Sequence, residues 1–283
     1  MNLSDLRKQQ YQHNEETYPF ITDWKRNPYT NLKYRLHMEA GAILVYFLLK
    51  TNIRPNTITW VYIFSGIIGG ILLAIPINTL IYISIFIFSI LRITLDTADG
   101  HLARIRNQES LRGGFLDDYG GYINSLCFWT GLGFYVFHFS GLIIFYYLIP
   151  LLLFFFAADM YFFIGLQIIQ EVVINRKQVL NKLNENRIHT SAHSNYKIIR
   201  AMQYIFESIS NFLRDSFPDD RSRTVDLVCL LIILELNGGI SLSWIIFLLF
   251  FIKKFILFIY SIYAIVNKNW AEQIIQKIWN DSV

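Results

Sequence analysis

The stretch Leu95 to Ser125, LDTADGHLARIRNQESLRGGFLDDYGGYINS, gathers aspartates, glycines and arginines inside a chain otherwise rich in Ile, Leu and Phe. Asp96 and Asp99 are three residues apart, so on a helix their carboxylates share one face. Asp117 follows a turn carrying Gly113 and Gly114. Ionised carboxylates at membrane depth are costly unless cations neutralise them, and hard divalent ions such as Mg²⁺ favour oxygen ligands. Three acids converging from two helices therefore read as a metal site. Gly100 and Ala103 leave the neighbouring helix face without bulk, as a planar base or a diphosphate requires, and Arg104 can offer a bidentate fork to phosphate. The bland alternative is that these acids only neutralise Arg92, Arg104, Arg106 and Arg112 in a solvated connection.

The elements that must position these residues are apolar. A chain of 283 residues that is 54% hydrophobic and only 16% charged has more apolar surface than one soluble core needs, which points to a bilayer. The polar start MNLSDLRKQQYQHNEETYPF has no apolar run before a small-residue cleavage site, so no removable signal is expected. Cys127 and Cys229 fall in apolar runs and read as small hydrophobes, with no disulfide framework or thiolate site.

A hydrocarbon core of about 30 Å takes roughly 20 residues per helix. On that ruler an all-α fold with six transmembrane helices is expected, near residues 57–76, 79–98, 114–137, 141–168, 225–237 and 240–266. The connections PINT, FHFSG and NGGIS hold no Arg or Lys, whereas 22 of the 25 cations lie in residues 1–54, 99–113, 170–224 and the tail after 267. The positive-inside rule then places both termini and the acidic stretch in the cytoplasm. Three regions follow: a cytoplasmic and interfacial segment 1–54, a membrane domain 55–267 with a cytoplasmic insertion 170–224, and a tail 268–283. Residues 30–50 run from a basic amphipathic start into an apolar continuation and read as an interfacial helix against lipid headgroups, with a seventh span as the alternative. Ile198, Met202, Ile205, Ile209 and Phe212 recur at helical steps and mark a second surface helix.

The spacing of the acidic stretch resembles the signature of the CDP-alcohol phosphotransferase family: D-x-x-D-G-x-x-A-R, eight residues, then G-x-x-x-D-x-x-x-D. Asp96, Asp99, Gly100, Ala103, Arg104, Gly113 and Asp117 match seven of the eight fixed positions, and Gly121 stands at the last one. RPNTIT, before the first span, is similar to the family's P-N-x-x-T opening. The resemblance implies an integral membrane enzyme of phospholipid or related phosphodiester synthesis. It would move a phosphate-linked group from a CDP-alcohol donor to a lipid or polyol acceptor hydroxyl, releasing CMP, with Mg²⁺ or Mn²⁺ as cofactor. It also implies a homodimer and no nucleic-acid partner. Carried over by position, Asp96, Asp99 and Asp117 are metal ligands, and Asp96, Gly100, Ala103, Arg104 and Gly113 hold the nucleotide. The family's last aspartate, its proposed base, has no counterpart.

Gly113, Asp117, Gly121 and Ser125 share one helical face, so Gly121 leaves a gap where an acid would project. Asp118 points about 100° away on a 3.6-residue helix, Asn124 is no base at neutral pH, and His101 has a usable pKa beside Gly100. Asp118 and His101 are thus the candidate replacements. A relocated base, an acceptor already ionised, a catalytically dead relative and a substitution made by design all stay open. Lys253 and Lys254 interrupt the last span; they either contact an anionic acceptor or phosphate, or pair with Asp159 or Glu235. Arg92, four residues before Asp96, is expected to pair with it.

Three rival functions are weighed. A pseudoenzyme on the same scaffold would bind nucleotide without turnover. A transporter would show paired halves with broken helices, and no duplication is visible. An intramembrane prenyltransferase would need a second acidic motif, for which FPDDRSR is a faint candidate.

Overall fold

The computed structural model describes residues 2–17, 28–161, 217–218 and 222–266, and within them the regular structure is helical, with no strand. Eight helices follow in order: α1 (Leu3–Thr17), α2 (Pro28–Leu48), α3 (Pro55–Ala74), α4 (Asn78–Ile105), α5 (Leu111–Ser140), α6 (Ile143–Tyr161), α7 (Ser222–Leu236) and α8 (Ser243–Val266). The surface-helix face expected between Ile198 and Phe212 lies outside the described residues, as do the tail 268–283 and most of the segment 170–224.

Four of these helices, α3, α4, α6 and α8, are long and apolar enough to cross a membrane. The chain is accordingly read as an integral membrane protein. The other two expected spans are also helices, but neither has both the length and the apolar character of those four, each for a separate reason. With 15 residues α7 rises only about 22 Å. The 30 residues of α5 are ample, but its first half carries Asp117, Asp118 and Asn124 and lowers its hydropathy.

The chain divides into two compact units, residues 1–149 with 220–247 and residues 150–219 with 248–283. In the first unit the central packing joins α3 to α5. Backbone meets backbone there: a Cβ on Gly70 would lie 2.6 Å from the Cys127 carbonyl oxygen, and one on Gly131 would lie 2.6 Å from the Gly70 carbonyl oxygen. Small residues allow this close approach in place of the hydrophobic drive that lipid removes. Phe88, Phe128 and Trp129 are fully buried, with Phe88 and Phe128 edge to face at 4.9 Å.

Local chemistry fixes the ends that face one another. Pro55 opens α3, where its missing N–H costs nothing. The Ser110 side chain caps α5 by accepting from Gly113 N at 3.0 Å. Gly141 closes α5 at φ 68°, a left-handed position that suits glycine. Past the end of α4, Arg106 donates to the carbonyls of Leu48 (3.0 Å), Thr51 (2.7 Å) and Ile53, binding the α2–α3 connection to α4. Inside α4, Ile87–Leu91 form a π-turn, and the Arg92 N–H bonds to the Ile87 carbonyl. Glu235 is buried and saturated: Leu242 N, Ser243 N (2.7 Å), Ser243 Oγ (2.8 Å) and Tyr135 Oη (3.0 Å) all donate to it. It caps α8, a structural use of an acid in an apolar run.

The polar start contains a helix that its composition does not announce. Asn2 and Asp5 exchange backbone-to-side-chain bonds at 2.9 and 3.2 Å, a capping box, and Leu6, Gln10 and Asn14 turn one face inward. Arg7 pairs with Glu39 at 2.7 Å, tying α1 to α2.

In the second unit, Phe154 of α6 meets Phe258 of α8 edge to face at 5.2 Å, and Phe155 lies tilted against the same ring at 5.1 Å. Lys254 Nζ meets Asp159 Oδ2 at 3.0 Å and lies 4.2 Å from the Phe156 ring centre.

Candidate active site

A cavity of about 210 Å³ opens in the first unit where the start of α3, the end of α4 and the start of α5 come together. From α3 it is lined by Pro55, Asn56 and Thr59; from α4 by Asp99, Gly100, Ala103 and Arg104; from the turn by Gln108, Glu109 and Ser110; and from α5 by Gly113, Gly114 and Asp117. Six of the seven residues that match the signature thus share one wall system, although the turn and the eight-residue gap separate them in sequence. The seventh, Asp96, is one turn deeper on α4, and its carboxyl is hydrogen-bonded to that of Asp117.

Two of the glycines explain how side chains reach the cavity. A Cβ on Gly100 would come 3.3 Å from the Arg104 guanidinium, so its absence lets that group lie back along the helix. A Cβ on Gly113 would press on Ser110 Oγ at 3.2 Å and Asn56 Oδ1 at 3.4 Å. The acids are held by specific partners. Thr59 Oγ1 donates to Asp99 Oδ2 at 2.7 Å. Asp96 feels the negative fields of Asp117 and Asp99 and the positive field of buried Arg92. Arg92 therefore acts on Asp96 through its field, and no contact ion pair joins the two among the described residues.

Three neighbouring carboxyls repel one another, and a proton or a cation relieves that repulsion. Their donor set, all oxygen, has the chemistry of a hard divalent ion. As the side chains stand, no three acidic, histidine or cysteine groups among the described residues converge into a coordination cluster. The fit lies in donor type and proximity: Asp99 and Asp117 on the wall, Asp96 bonded to Asp117.

Across residues 52–206 the chain matches the family model of CDP-alcohol phosphatidyltransferases, more than half of its 283 residues. The chain belongs to the CDP-alcohol phosphatidyltransferase family. That family transfers a phospho-alcohol from a CDP-alcohol, and the match makes this chain a transferase by descent. No curated protein and no solved structure matches it.

The remaining candidate residues lie away from the cavity wall. Asp118 is exposed and His101 is buried, with no hydrogen-bond partner for either ring nitrogen among the described residues; neither lines the cavity. Asn124 is fully buried, its Nδ2 donating to the Tyr62 carbonyl at 3.5 Å. Lys253 and Lys254 belong to the second unit, where Lys253 Nζ donates to the Pro218 carbonyl at 2.8 Å and Lys254 pairs with Asp159. In the sequence, Pro55, Asn56 and Thr59 stand out only as part of the RPNTIT opening. Their use, a wall of the cavity and a bond to Asp99, needed the fold.

Proposed function

We propose that this protein is a metal-dependent transferase that moves a phosphate-linked alcohol from a CDP-alcohol to an acceptor hydroxyl, releasing CMP, in phospholipid or related phosphodiester synthesis. The observation that carries the reading is the assembly of Asp99, Gly100, Ala103, Arg104, Gly113 and Asp117 around one cavity in a chain of this family. Asp96, Asp99 and Asp117 would hold Mg²⁺ or Mn²⁺. When bound, the ion supplies neutralisation of the diphosphate charge. Asp96, Gly100, Ala103, Arg104 and Gly113 take the nucleotide: the small residues leave room for it, and Arg104 offers parallel N–H donors to phosphate oxygens. Thr59 keeps the Asp99 carboxyl turned toward the site.

In this reading α3 to α8 are six spans, α2 lies in the headgroup interface, both termini and the cavity face the cytoplasm, and the acceptor is a lipid or polyol. Family precedent supports a homodimer. Gly121 leaves the base open between Asp118 and His101. A nucleotide-binding relative without turnover is the second reading, favoured by the placement of both candidates off the cavity wall.

The test is CMP release from a panel of CDP-alcohols and acceptors by purified protein, with Mg²⁺, with Mn²⁺ and with EDTA, beside direct titration with CMP. Metal-dependent CMP binding and release are expected. Metal-dependent binding without release selects the second reading, and equal binding in EDTA removes the metal from both.

A further inference from the structure

Gly121 occupies the position where the family signature ends in aspartate, and a tyrosine stands opposite it. A Cβ on Gly121 would meet the Tyr62 hydroxyl of α3 at 3.7 Å, an ordinary contact. One residue earlier, a Cβ on Gly120 would come 2.9 Å from Tyr62 Cε1. The Tyr62 ring is therefore laid across the Gly120–Gly121 pair, with 5% of the residue exposed. Packing holds the ring and leaves the hydroxyl facing Gly121.

Helix direction gives the depth of that hydroxyl. Thr59, Asp99 and Asp117 wall the cavity. Moving inward, α3 and α5 ascend in number while α4 descends, so Tyr62, Gly121 and Asp96 lie one turn, about 5 Å, further in. This deeper layer holds an acid, a hydroxyl and a gap. Asp96 and Asp117 both act electrostatically on Tyr62, and the Asn124 side chain hydrogen-bonds to it.

We propose that Tyr62 is the acceptor-positioning residue of this site: its hydroxyl stands in the space a carboxylate at position 121 would enter, and it hydrogen-bonds the acceptor's hydroxyl. The inference rests on the transferase reading above. A phenol both donates and accepts, so it can align an incoming oxygen between itself and the neighbouring acids. Being uncharged, it aligns the acceptor and does not take its proton.

Full-length parent, Tyr62→Phe, Gly121→Val and the double variant Tyr62→Phe/Gly121→Asp are compared in detergent. CMP release is followed from CDP-diacylglycerol and CDP-ethanolamine, with glycerol 3-phosphate, serine, inositol and diacylglycerol as acceptors. Tyr62→Phe keeps the ring and loses one hydrogen bond, so the acceptor KM should rise about tenfold while the donor KM stays within about twofold. Gly121→Val presses on the hydroxyl from the other side and should raise the same KM. The double variant should recover it, because a carboxylate then fills the vacated space. A folded Tyr62→Phe with the parental acceptor KM, or with both KM values raised alike, would overturn the role of Tyr62 and leave the transferase reading standing. CMP release by neither the parent nor the double variant would overturn that reading and the role of Tyr62 with it.

Discussion

Thr59 Oγ1 donates to Asp99 Oδ2 at 2.7 Å, joining α3 to the acidic face of α4. Asp99 is only 6% exposed, and the bond satisfies one oxygen of its carboxyl and fixes which way the other points. Thr59→Val keeps the shape and removes the donor. Supporting bonds of this kind are worth about 10- to 100-fold in metal affinity. Titration with CMP at limiting Mg²⁺ should show weaker binding by about tenfold, with the thermal midpoint little changed. Unaltered affinity would mean that Asp99 needs no such support.

The glycines of α3 and α5 give a contrast that can be measured without activity. Gly70→Ala would drive a methyl into the Cys127 carbonyl, and Gly131→Ala into that of Gly70, both backbone atoms that cannot step aside. Each should cost about 1–3 kcal/mol. Gly114→Ala meets nothing within 4 Å and should be neutral. Thermal unfolding in detergent ranks the three, and equal midpoints would contradict the close backbone approach.

His37 links stability to pH. It is buried, its Nδ1 3.3 Å from Thr94 Oγ1, with Lys33 one turn before it and Asp226 nearby. Lys33 and Tyr29 are themselves bonded to Asp226, so α2 is tied to α7 at this point. Burial first, then the Lys33 charge, pushes the His37 pKa down from 6.5 to about 4. The unfolded chain takes up this proton near its ordinary value and the folded chain only near the lower one. The stabilising contribution is therefore intact above the first value and lost as pH falls from the first to the second, by up to about 3 kcal/mol. His37→Gln should show a smaller drop in thermal midpoint between neutral pH and about pH 4.5, near the lower end of that window, than the parent.

The orientation is open to single-cysteine labelling. Cysteines at Asn78, Ser140 and Ile240 should label from outside intact cells, and one at Gln108 only after permeabilisation. Ile240 is 81% exposed and suits the third connection better than Gly238, whose φ of 87° would strain any side chain. External labelling of Gln108 would turn the cavity away from the cytoplasm.

Much of the site could be read from the chain because its geometry is local. Asp96, Asp99, Gly100, Ala103 and Arg104 keep their mutual placement on any helix, and the apolar runs mark where α3 to α8 begin to within a few residues, while α4 runs on past the expected end at 98. What escaped is tertiary. Nothing in the sequence says that Tyr62 faces Gly121 or that Arg106 reaches back to Leu48, and only the fold selects Asp159 from the two acids the sequence offers to Lys254. Helix α1 escaped for a different reason: its buried face includes Gln10 and Asn14, so hydrophobic periodicity is blind to it and only the Asn2–Asp5 cap betrays it.

The π-turn at Ile87–Leu91 contains one residue more than an α-turn would. If the same residues, none removed, wound as uniform α-helix, everything after the turn would swing by about 100°. Asp96 and Asp99 would then leave the side that faces Thr59 and Asp117, with no residue of the signature altered. The acids are thus phased by a single peptide unit in an apolar stretch, much as a reading frame is set upstream of the codons it governs.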